Sequence, residues 1–142
     1  MKRLIGMPGD RVRFKDGAVS INGAAFDTEV LGEGSLDEDR HQVLVRETTA
    51  GRTRTLKINP AWQGRQGPLH MEVPDLAANC RAEANGAWEC VVPPGQYMML
   101  GDNRDNSADS RVWDFLPHEQ IYGKAVQVLI NFSNLKRAWT AL

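Results

Sequence analysis

A mainly β, antiparallel fold is the class this sequence predicts, and three local signals predict it. Asp16-Gly17 stands between residues 12–15 and 18–21, and an Asp-Gly pair between two such runs is a strong hairpin signal. Asn22-Gly23 follows directly and offers a second tight reversal. Residues 53–58 alternate, with Thr53, Thr55 and Lys57 against Arg54, Leu56 and Ile58, the period of a strand with one face buried.

Taken in order, the first hairpin comprises 12–15 and 18–21. Residues 27–39 then carry six acidic side chains and no base, a composition that predicts a mobile surface loop. Further strands are expected over 42–47, 52–58, 88–92, 96–100 and 123–130. Beyond Asn131, Leu135, Ala138, Trp139 and Leu142 recur at helical spacing beside Lys136 and Arg137. For this C-terminal tail, 131–142, three readings stand: an amphipathic helix on a membrane surface, ordinary packing against the core, or a frayed end. The expected organisation is a core from 1–26 with 91–130, and an inserted β subdomain over 27–90.

At 142 residues, 42 % hydrophobic and a formal charge of −1, the chain can build one core or two small ones, and its charge gives no reason to expect nucleic acid. Apolar runs are too short for a transmembrane helix. Cys80 and Cys90 enclose a polar stretch with an Asn85-Gly86 turn, a spacing unlike a zinc ribbon or a Cys-x-x-Cys pair. A turned hairpin would bring them within bonding distance in an oxidising compartment; two buried thiols are the alternative.

The densest chemistry lies at 101–111, Gly-Asp-Asn-Arg-Asp-Asn-Ser-Ala-Asp-Ser-Arg, between flanks rich in bulky apolar residues. Asp, Asn and Ser bond readily to nearby backbone N–H groups, so this run can fold into a rigid polar shelf. Asp102, Asp105 and Asp109 are partly balanced by Arg104 and Arg111, whose forked guanidinium groups match carboxylates. The spacing of Asn103, Asp105, Ser107 and Asp109, with Asp114 twelfth, faintly suggests calcium. Ala108 at the required glycine, the lack of a final Glu and the intruding arginines argue against it. No metal or other cofactor is expected.

Lys2-Arg3-x-x-Gly6-x-Pro8-Gly9-Asp10, read with the 101–111 segment, resembles two signature boxes of the type I signal peptidases, in the family's order. Residues 92–97 and 113–117 extend the likeness. The resemblance implies a signal-peptidase type β core, either a sheet or a partial barrel. It also implies a Ser/Lys endopeptidase that removes signal peptides from exported preproteins, anchored in the bacterial inner membrane with its catalytic domain on the periplasmic side. Position by position, Lys2 matches the general base and Ser107 the hydroxyl that orients it. Asp109 and Arg111 match a supporting pair, Arg3 and Asp102 match residues that tie the boxes together, and Arg104 belongs to the same supporting group. The family's nucleophile sits in a Ser-Met motif ahead of the lysine, and none of Ser20, Ser35, Ser107, Ser110 and Ser133 has that context. The expectation is therefore a fragment, inactive alone, whose nucleophile and membrane anchor lie elsewhere. A repressor-type self-cleaving Ser/Lys protease and a β-rich extracytoplasmic module binding peptide or lipid are the competing readings.

Overall fold

The computed structural model describes residues 2–33, 42–49, 51–60, 67–68, 72–128 and 140–141. Strand β1 (Lys2–Gly6) leads into a Met7-Pro8-Gly9-Asp10 turn, in which Gly9 has φ 85° and the Asp10 N–H donates to the Met7 carbonyl at 2.9 Å. β2 (Arg11–Lys15) and β3 (Ala18–Ile21) form the hairpin at Asp16-Gly17. Both turn residues have positive φ, 48° and 83°, as the tight turn that matches strand twist requires. Asn22 and Gly23 repeat the device at 51° and 84°, turning the chain into β4 (Ala24–Ala25).

Strands β5 (Asp27–Glu33), β6 (Val43–Thr49) and β7 (Arg52–Ile58) make a separate antiparallel sheet. Helix α1 (Pro74–Asn79) then precedes β8 (Cys80–Ala82), β9 (Trp88–Val91) and β10 (Gln96–Gly101). The short α2 (Ser110–Trp113), β11 (Leu116–Pro117), β12 (Gln127–Val128) and β13 (Thr140–Ala141) complete the described elements. The largest sheet runs β4-β3-β2-β9-β8; a second runs β1-β10-β11. Every named strand pair is antiparallel, and among the described residues no sheet closes into a barrel.

Period-two burial explains the main core. Val12 and Phe14 on β2, Val19 on β3, Cys90 on β9, and Met98 and Leu100 on β10 turn inward and meet Ile5, Leu76, Val92 and Phe115. A smaller cluster of Val45, Leu56 and Ile58 lies under the three-stranded sheet.

Four expectations change. Residues 27–33 are a strand instead of a loop, fully exposed and paired with β6, with Glu29 and Arg46 forming an ion pair at 2.5 Å. An edge strand with both faces exposed is free to be polar throughout, so composition alone misreads it; the irregularity between Val30 and Gly32 and the acidic side chains are usual guards of such an edge. Of the expected strand over 123–130, 127–128 pair with 140–141 and 123–126 join no ladder among the described residues. Leu135, Ala138, Trp139 and Leu142 lie outside the described residues, and 140–141 are strand, not helix. The stretch 27–90 also divides. β5, β6 and β7 stand apart, whereas β8 and β9 pair onto β2 in the main sheet.

Cys80 and Cys90 face each other across β8 and β9 and are joined in a disulfide, with Cα atoms 4.0 Å apart. Closing a loop of separation 10 restricts the unfolded chain and contributes about 2–3 kcal/mol in the loop-entropy account. Reduction, or replacement of both cysteines by alanine, should lower the melting temperature by roughly 5–10 °C in calorimetry. An unchanged melting temperature would show that β8 and β9 are held without the bridge.

Candidate active site

The β1–β10 ladder brings the two sequence boxes together. Lys2 pairs with Gly101, Arg3 with Leu100 and Leu4 with Met99. One residue beyond the ladder, Asp102 accepts two hydrogen bonds from Arg3, at 2.7 Å from Nε and 3.0 Å from Nη2, so a two-point ion pair fixes the register.

Directly opposed residues of antiparallel strands share a face, with Cβ atoms about 4.5–5.5 Å apart. Opposite Lys2 stands a glycine, and the space its side chain would fill belongs to Ser107. A Cβ built on Gly101 would lie 2.0 Å from Ser107 Oγ and 2.4 Å from Ser107 Cβ. The Ser107 hydroxyl thus occupies the cross-strand position beside Lys2, which is itself exposed.

The second half of the 101–111 segment is fastened to β10. Asp109 is 0 % exposed and caps α2, accepting from the Arg111 backbone N–H at 3.3 Å and from its Nε and Nη2 at 2.8 Å each. The Gly101 N–H donates to the same carboxylate at 2.9 Å. Arg111 also donates to the Arg104 carbonyl at 2.7 Å, and Ser110 Oγ accepts the Met99 N–H at 2.9 Å. Burial pushes the Asp109 carboxyl up, but its bonds to Arg111 and the Arg111 charge, with two backbone N–H groups, outweigh that and hold it below its ordinary 3.8.

The first half is fastened to the other sheet. Lys57 donates its N–H to the Asp102 carbonyl and accepts that of Arg104, both at 2.9 Å. Gln42 Nε2 donates to Asn103 at 3.2 Å, and the Asn59 N–H donates to the Asp105 carboxylate. Arg104 Nη2 reaches both oxygens of Glu47, at 2.9 and 3.0 Å, in a pair that is 2 % and 1 % exposed by side chain. Arg54 approaches the same carboxylate, and its guanidinium lies 5.2 Å over the ring of Phe26. Gln42, Glu47, Arg54, Lys57 and Asn59 are not among the site residues expected from sequence, where Arg54 and Lys57 figure only in the strand alternation. Glu47 carried one signal: alternation along 43–47 puts it on the inward face with Val43 and Val45, where an acid is out of place without a partner.

Because Asp109 sits below its ordinary range, its contribution to stability is full above about pH 4 and is lost as pH falls through its folded value. Asp109→Asn leaves the buried Arg111 without its charge partner and should cost about 3–5 kcal/mol at neutral pH. In urea titrations the gap between wild type and variant should narrow below about pH 4. A gap that stays constant to pH 2 would show that Asp109 does not titrate with folding. Gly101→Ala should expel Ser107 from its place, seen as a displaced Ser107 amide resonance in a chain that keeps its sheets.

The sequence model of the family "Signal peptidase, peptidase S26" matches residues 1–130. Signal peptidase I of Pseudomonas fluorescens is 33 % identical over 147 aligned positions, covering 96 % of this chain and 45 % of that protein. Its counterpart in Rickettsia typhi is 35 % identical over 129, covering 88 % of this chain and 43 % of that protein. The crystal structure of signal peptidase I from Enterococcus faecalis aligns at 27 % identity and a TM-score of 0.43, over 86 % of this chain and 78 % of that one. The chain spans a little under half the length of these two curated relatives, 45 % and 43 %. With both boxes inside the matched region, this chain belongs to the S26 family of signal peptidases.

Proposed function

We propose that this chain is the lysine-bearing part of a signal peptidase I, an endopeptidase that removes signal peptides from exported preproteins, with a nucleophilic serine supplied from outside these residues. The observation that carries the reading is that Gly101, the ladder partner of Lys2, has the space of its missing side chain filled by the Ser107 hydroxyl. In this reading Lys2 takes the proton of the attacking serine, and Ser107 holds the lysine amine in line for that transfer. The serine oxygen adds to the scissile carbonyl, the amine leaves with the proton, and water then releases the acyl group. Arg3–Asp102 and Asp109–Arg111 keep base and orienting hydroxyl in place. The Cys80–Cys90 disulfide supports an oxidising compartment, the periplasmic face of the inner membrane. Among the described residues no helix is long and apolar enough to cross a membrane.

Neither of the other described serines is placed to act as nucleophile beside Lys2. Ser20 is on β3 in the five-stranded sheet, and Ser110 is fully buried with its hydroxyl bonded to Met99. The 142-residue chain should therefore leave a signal-peptide substrate ending in Ala-x-Ala intact. Cleavage by this chain that disappears in Lys2→Ala would place the nucleophile within it and overturn this assignment. The same reading frame extended upstream should contain a Ser-Met motif beside an apolar anchor and should cleave the substrate. In that longer protein Lys2→Ala should lower kcat by about 10²–10⁴-fold.

A further inference from the structure

We propose that Glu47, on the three-stranded sheet, is a positioning residue for the Lys2–Ser107 site, acting through Arg104. The proposal rests on the Ser/Lys reading for its catalytic consequence. Arg104 is tethered at three points: its side chain to Glu47 on β6, its N–H to Lys57 on β7, and its carbonyl to the guanidinium of Arg111. Arg111 in turn holds Asp109, and Asp109 holds the N–H of Gly101, the residue opposite Lys2 and beneath Ser107. An unbroken series of buried polar contacts therefore runs from Glu47 to the candidate site.

Charge makes Glu47 the critical member. Arg54, Arg104 and Arg111 cluster around two carboxylates, Glu47 and Asp109. Burial, followed by the charges of Arg54 and Arg111, disfavours the Arg104 cation, and Glu47 opposes both effects. Among the described residues Nε and Nη1 of Arg104 have no acceptor, so the hydrogen bonds of this buried guanidinium rest on Glu47. Without that anion the least costly response is for Arg104 to leave the interior, taking the Asp102–Asp105 backbone with it. Asp102, which grips Arg3 beside Lys2, moves with it.

The test compares Glu47→Gln and Glu47→Asp with Glu29→Gln, which breaks an exposed ion pair on the same sheet. In the 142-residue chain, Glu47→Gln should leave the resonances of β2, β3 and β9 in place. It should displace those of Gly101, Asp102 and Ser107 and speed exchange of their amides about tenfold or more. Glu47→Asp keeps the charge and should show the same changes more weakly, serving as the variant if Glu47→Gln does not fold; Glu29→Gln should show none. In the longer protein that carries the nucleophile, Glu47→Gln should lower kcat about tenfold or more with KM within about twofold, since a mispositioned base costs rate more than binding. Unchanged Gly101 and Ser107 signals in whichever Glu47 variant folds would overturn the proposal, as would a loss confined to KM. A longer wild-type protein without peptidase activity would overturn the Ser/Lys reading, and the amide signals would still judge Glu47.

Discussion

A charged loop driven into the interior must find a partner for each charge it takes there, and the segment from Gly101 to Arg111 shows what that demands. Arg104, Asp109, Ser110 and Arg111 are all at most 3 % exposed. An isolated buried charge would be costly by many kcal/mol, so each must meet a partner at a fixed distance and angle. Asp109 does so by accepting from side chain and backbone of Arg111 and from the backbone of Gly101. Once that carboxylate is fixed, so are the end of β10, the ladder to β1 and the space that Ser107 fills. The rest of the site follows from where one carboxylate can be hydrogen-bonded.

Much of this was legible in the sequence, and for local reasons. Asp16-Gly17 and Asn22-Gly23 announce turns because few other pairs tolerate positive φ at both positions, and strands flanking such turns have little choice of register. The polar segment announced itself by contrast with its apolar flanks. What stayed hidden depends on contacts between parts distant along the chain. Nothing near Glu47 says that its partner is Arg104, and nothing near Gly101 says that its missing side chain makes room for Ser107. The strand over 27–33 was hidden for a different reason. Its ladder bonds come from the backbone of β6, which any side chain permits, so acidic composition carried no information about pairing.

The two sheets divide the labour around the site unequally. The β1-β10-β11 sheet supplies the ladder that carries Lys2 and Gly101, and its strand β10 contributes to the main core. The β5-β6-β7 sheet has a small apolar cluster of its own and reaches the site through hydrogen bonds and ion pairs. Such contacts are directional, so the β5-β6-β7 sheet can dictate orientation without contributing much apolar burial there.

The sequence separations of these contacts carry a kinetic meaning. Arg3 meets Asp102 across 99 residues, Gln42 meets Asn103 across 61, Arg104 meets Glu47 across 57 and Asn59 meets Asp105 across 46. The hairpin at Asp16-Gly17 can close locally and early, but loop-closure entropy makes contacts between remote segments late events in folding. Lys2 is synthesised long before Gly101, the residue that faces it in the ladder. A site drawn from such distant segments is complete only late in folding, so a partly folded chain lacks the arrangement of Lys2, Gly101 and Ser107 altogether.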